Sequence, residues 1–266
     1  MLKKFLLSSA VVFGLSGAVY SSDILVENSI KSQLKKFCHF TYNDLPSVEM
    51  SNTGLLNSGK SDNFLAEARS LIANYDSIDF LGVRLVHKHN TLVDGDIMLE
   101  EFKYDEGEPM FVTSNKHITT AGGIPASWII TSDGLRVFEY STDVAAFSAF
   151  QYLDEHSEPL RMLRNTIQKY ALESYFAPSI LKLESLENFN PSYQLVEKSR
   201  MIVNDGIKIH ENIVKGVPDD VFLGMNVIRT SWTINSETRH DYCWRSCDTG
   251  PQGQHDVSHV PDDVLA

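Results

Sequence analysis

The chain has few cysteines, a deficit of basic residues and one long apolar run, and each shortage excludes something. Three cysteines in 266 residues (Cys38, Cys243 and Cys247) are too few for a disulfide scaffold, so a hydrophobic core must hold the fold. Lys and Arg number 23 against 35 Asp and Glu, a formal net charge of −12. A chain this acidic has no electrostatic footprint for nucleic acid or for anionic membrane surfaces. Beyond the N-terminus no window approaches the length of a membrane-spanning apolar helix. Repeats and low-complexity segments are missing too. Nucleophilic catalysis has no signature: G-x-S-x-G does not occur, and "HENIV" at His210 lacks the second histidine of a metalloprotease helix. Glu100 and Glu101 are consecutive, so in a strand they face opposite sides and do not form a positioned acid and base.

The one apolar run lies at the N-terminus. Lys3 and Lys4 precede "FLLSSAVVFGLSGAV", and small residues permit cleavage after Ala18 or Ser21. This is the pattern of an export signal over residues 1–21. It is too short for a comfortable span, and no charge after Lys4 gives it the polar face of a core helix. Its removal takes the formal charge to −14 and leaves about 245 residues, ample for one large core. The expected product is a soluble exported protein, periplasmic or extracellular, with a single domain over 22–247 and a flexible polar tail over 248–266.

Periodicity supplies the fold class. "ILVENSIKSQLKKFCHF" (Ile24–Phe40) has helical apolar spacing, as does "NFLAEARSLIANY" after a polar stretch from Thr41 to Lys60. "FLGVRLVHKH" alternates, and the turn "VDGD" suggests a hairpin with "IMLEEFKY". "PMFVTS" and "SWIITSDGLRVFEYS" continue a run of neighbouring strands. Two helical segments follow between Thr142 and Phe176, jointed at Pro159, before strands return after Pro178 in "QLVEKSRMIV", "IKIHENIV" and "VFLGMNVIRTSWTI". Strand runs interrupted by a helical pair predict an α+β fold: a largely antiparallel sheet with an N-terminal and a central helical pair.

Four constellations carry possible chemistry. "GLLNSGKS" places Gly54, Gly59, Lys60 and Ser61 in the G-x-x-x-x-G-K-[ST] spelling of a phosphate loop. The resemblance is in spelling only, because the preceding "PSVEMSNT" is no buried strand, and the segment reads as a loop that starts a helix. His87 and His89 lie two apart in a predicted strand, so both imidazoles leave one face toward a zinc ion. Glu100, Glu101 or His117 could supply a further ligand. The pair resembles the first motif of cupin barrels, but the carboxylate lies too far along and the second motif is absent. In the tail, Cys243, Cys247, His255 and His259 could hold zinc, while Cys243 with Cys247, or Cys38 with either, could form a disulfide. Trp128, Trp232 and Trp244, beside polar residues, are candidates for a binding surface or for sheet packing.

Two functions follow as expectations. The first is a non-enzymatic protein that binds an unidentified protein or small molecule through its sheet face and tail. The second is a zinc-dependent hydrolase using His87 and His89. N-terminal sequencing of the exported protein should begin at Val19 or Ser22; an intact Met1 would remove the export reading.

Overall fold

The computed structural model describes residues 39–72, 75, 80–181, 193–204, 207–233, 245–248 and 258–260. Helices α1 (His39–Asn43), α2 (Val48–Ser58) and α3 (Ser61–Ile72) lead into strands β1 (Leu81–Leu85), β2 (Asp96–Asp105) and β3 (Glu108–His117). A short α4 (Ile118–Ala121) precedes β4 (Ile124–Thr131) and β5 (Gly134–Ser141). The helical pair α5 (Val144–Glu155) and α6 (Glu158–Lys169) follows, then β6 (Phe176–Ile180), β7 (Tyr193–Asn204) and β8 (Ile207–Pro218). The last elements are α7 (Asp219–Phe222), β9 (Val227–Thr233), β10 (Arg245–Asp248) and β11 (Ser258–Val260).

The eleven strands among the described residues join one sheet in the order β10-β9-β1-β6-β4-β5-β2-β3-β8-β7-β11. Strand β10 also pairs with β7, so the sheet curls into a nearly closed barrel. The fold is therefore mixed helix and strand around one large sheet, most of whose ladders are antiparallel. No helix among the described residues is long and apolar enough to cross a membrane.

Local chemistry explains the helix ends. Ser47 caps α2 by accepting a hydrogen bond from Met50 N, and Gly59 closes it in the left-handed region at φ 62°. Gly54–Ser58 is thus helical, which corrects the loop expected there. The two helices meet in a tight turn at Gly59–Lys60, and Lys60 Nζ bonds the Tyr170 carbonyl at 3.1 Å. Proline stands in the first turn of α6, where its missing N–H has no helical partner to lose.

The helices coat the outer face of β9, β1, β6 and β4. Val83, Leu85, Trp128, Val137, Phe176 and Ile180 join Phe64, Phe150, Leu160 and Leu163 in the main core. Trp128 stacks on Phe150 and Trp232 meets Phe176 edge-on, so both tryptophans pack the core and neither lines a surface. Trp244 lies outside the described residues. A smaller cluster plugs the other side of the sheet: Tyr42, Leu45 and Leu92 against Val86, Met98, Ile129, Phe138 and Ala177.

Three expectations change. Strand β1 ends at Leu85, short of both histidines, and it pairs with β6 and β9 instead of forming a hairpin with β2. "VFLG" contributes the short α7 rather than strand. Residues 258–260 of the expected tail pair with β7 as β11. The first expected helix, 24–40, lies almost wholly outside the described residues.

Gly82 on β1 tests the packing. A Cβ there would overlap Leu181 Cδ1 and the Trp232 carbonyl oxygen, the latter fixed in β9. Gly82→Ala should lower unfolding free energy by about 1–3 kcal/mol in denaturant titration. Trp128→Ala should cost about 3–5 kcal/mol.

A buried ionic cluster as candidate functional site

Directly opposed residues in an antiparallel ladder share a face. Arg84 opposes Ala177 and Ser231, while Leu85 and Val83 face the helices. Arg84 therefore points to the enclosed side of the sheet, where it meets carboxylates from distant strands. It pairs with Glu139 of β5 and lies 3.5 Å from Glu100 of β2. Thr113 on β3 donates to Glu100 at 3.4 Å, and Ser127 on β4 donates to Glu139 at 3.4 Å.

A β-bulge delivers Glu139. Trp128 opposes Val137 but Ser127 opposes Glu139, so Phe138 is an extra residue in β5. Consecutive Phe138 and Glu139 consequently both serve the enclosed side, Phe138 in the plug and Glu139 on Arg84. Regular alternation would have turned Glu139 outward, into the apolar layer beneath the helices.

His89 arrives from the segment after β1, which is tied down at several points. Asn43 and Leu92 exchange two hydrogen bonds of 2.8 Å, Lys88 Nζ reaches the Asn43 carbonyl at 2.9 Å, and Ser51 Oγ donates to the Val86 carbonyl. His89 N donates to the Tyr42 hydroxyl at 3.0 Å. The imidazole then spans the enclosed space: Nε2 lies 3.1 Å from Glu139 Oε1, and Nδ1 lies 3.0 Å from Glu197 Oε1 of β7. Its side chain and both carboxylates are 2% exposed. His87 packs edge-on against His89, ring centroids 4.7 Å apart, with Nδ1 2.8 Å from the Leu85 carbonyl. A carbonyl only accepts, so Nδ1 of His87 carries the proton.

Burial alone would discharge these groups, yet mutual attraction wins. Burial opposes the imidazolium of His89, but Glu197 and Glu139 raise it to about 10. Burial pushes Glu139 up, and Arg84, His89 and His87 hold it down at about 2. Arg84 is raised further above its ordinary range, burial being outweighed by Glu139, Glu100 and Glu197. Tyr42, buried beside two carboxylates, is raised so far that it stays a phenol.

Other expected site residues are placed apart. Glu101 lies on the opposite face of β2 from Glu100, near Lys103 at 3.2 Å and Lys116 at 3.8 Å. His117 is exposed, with Nδ1 2.8 Å from Thr119 Oγ1. So His87 and His89 come together, but Glu101 and His117 join neither. Among the described residues no three or more His, Cys, Asp or Glu side chains group as metal ligands would. Cys247 sits in β10 opposite Ile228 and Glu197, and His259 sits in β11 beside Met201. Cys38, Cys243 and His255 lie outside the described residues. Gly54 and Gly59 serve a helix and its cap, and Ser61 opens the next one.

Sequence reasoning missed Arg84, Glu139 and Glu197. Each is a charge set in an apolar strand run, alone in "GVRLV" and with a second charge nearby in "RVFEY" (Arg136) and "QLVEK" (Lys198), and charged side chains are seldom buried unless paired. That pattern was the available signal.

Comparison with protein-family models, curated proteins and solved structures finds no match for this chain.

The shifts set a pH window. His89 is raised from 6.5 to about 10, so its contribution is complete below pH 6.5 and fades as pH rises through 10. Glu139 is lowered from 4.5 to about 2, so its contribution is complete above pH 4.5 and is lost as pH falls toward 2. Melting curves should show these two terms jointly complete between pH 4.5 and 6.5. Glu139→Gln should cost about 3–5 kcal/mol and flatten the acid limb.

Proposed function

We propose that the protein is an exported, non-enzymatic binding protein whose enclosed sheet face takes a small polar ligand. One observation carries the reading: Arg84, His89, Glu100, Glu139 and Glu197, from four strands and one tied segment, converge on that face while almost fully buried. Buried ion pairs are poor stabilisers, since desolvation offsets their attraction and apolar replacements often serve as well. Functional sites are where strongly shifted ionisable groups are gathered at such a cost.

Binding is favoured over catalysis by what the cluster does with its own groups. A general base needs an unprotonated nitrogen or carboxylate directed at substrate. Here both nitrogens of His89 lie against carboxylates, and Glu139 is engaged by Arg84, His89 and Ser127. The zinc-hydrolase alternative asks His89 to leave both carboxylates before it can ligate. The acidic charge, the N-terminal signal pattern and the single large sheet fit an exported soluble carrier or sensor.

Protein recovered from its native export compartment should release a near-stoichiometric small molecule on denaturation, detected by mass spectrometry. Glu100→Gln, checked for cooperative melting, should release less. Recovery of stoichiometric zinc that is lost in His87→Ala, with no organic molecule, would replace this reading with the hydrolase.

A further inference from the structure

The cluster has polar neighbours that it does not satisfy. Ser231 is 1% exposed, opposes Arg84 across the β1–β9 ladder, and its hydroxyl makes no hydrogen bond. Sharing a ladder position, it shares Arg84's enclosed face. Going round the sheet from β1, the wall runs through β9 and β10 to β7, so Ser231 stands on the wall between Arg84 and Glu197. Next to His89, which contacts Glu197, stands Asn90. Both its carboxamide oxygen and nitrogen are buried and without a partner. A buried polar group left unpaired carries its full desolvation cost, and each such group in a native fold calls for an explanation.

The kind of unsatisfied group points to the kind of ligand. Glu100, Glu139 and Glu197 already lie against Arg84 and His89, so the ligand is indicated by the unpaired groups beside the cluster, and those groups are neutral. What is left over is a donor and an acceptor side by side on Asn90 and a hydroxyl on Ser231. A ligand hydroxyl both donates and accepts at one atom. Two vicinal hydroxyls can meet the oxygen and nitrogen of one carboxamide, and a third can meet Ser231 or a carboxylate.

Resting on the binding function proposed above, we propose that this corner of the enclosed face, built by Asn90 and Ser231 beside the Arg84–Glu139–His89–Glu197 cluster, takes an uncharged polyhydroxyl molecule of monosaccharide size. Asn90 and Ser231 supply the recognition. The ionic cluster holds the walls and offers carboxylate acceptors.

The test combines titration calorimetry and thermal melting of the purified protein and its variants. The neutral probes are D-glucose, D-galactose and myo-inositol; the charged probes are arginine, spermidine and inorganic phosphate. At least one neutral probe should bind and raise the melting temperature. Asn90→Ala and Ser231→Ala should each weaken that binding at least tenfold. Without ligand both variants should melt at or above the parent temperature, because each removes an unpaired buried polar group. A structural role would instead lower it, and a clear fall in both variants would overturn the assignment. Binding of a charged probe alone would overturn the polyol class while leaving an enclosed ligand site standing. No binding by any probe, with a co-purifying molecule that lacks hydroxyls, would overturn it as well. No binding and no co-purifying molecule would overturn the binding function itself.

Discussion

The arrangement inside the sheet depends on the contact between Arg84 and Glu139. A guanidinium and a carboxylate taken out of water each carry a desolvation penalty of several kcal/mol, which only close pairing offsets. Strands β1 and β5 are not neighbours; β6 and β4 lie between them. The pair can form only if the sheet curls enough to bring the two enclosed faces together. Once it has formed, His89 extends the link from Glu139 to Glu197 on β7, and Glu100 joins from β2. Curvature, strand closure and the ionic cluster are one constraint seen from three sides.

Two local devices make that contact possible. The bulge at Phe138 places two successive side chains on the enclosed side and gives the sheet a local bend, as bulges do where a side chain must be re-aimed. The tie between α1 and the segment after β1 holds an otherwise irregular stretch against the sheet, so that His89 has a fixed approach. The plug residues Tyr42, Leu45 and Leu92 exclude water from the same region. Low local polarity then strengthens each ionic contact and makes any unmatched polar group more costly. That is why Ser231 and Asn90 stand out against the satisfied cluster around them.

Much of the secondary structure was legible because it is governed by local pattern. The period of the segments 97–104, 109–114, 127–141 and 142–176 marks strands and helices that the structure contains, although the second helix of the last segment stops at Lys169. The turn at Ser132–Asp133 and the joint at Pro159 are also where the sequence puts them. The failures have physical causes. Polar residues 48–58 form a helix because Ser47 and Gly59 cap it and Val48, Ser51 and Leu55 pack inward, which outweighs a weak apolar pattern. The His-x-His pair has the spacing of a strand, but β1 stops at Leu85 and both histidines follow it in irregular chain.

The sequence by itself determined the acidic charge, the shortage of cysteine, the alternation of most strands and the helical pair between Thr142 and Phe176. These follow from side-chain chemistry and from contacts a few residues apart. It also placed His87 and His89 among the residues worth testing. Only the tertiary structure decided what surrounds them. Arg84, Glu139 and Glu197 are separated by 55 and 58 positions in the chain, and nothing in their local pattern specifies that they meet. Their meeting depends on strand order, on a one-residue bulge and on sheet curvature. Each of these depends on the summed packing of many distant residues rather than on any short stretch.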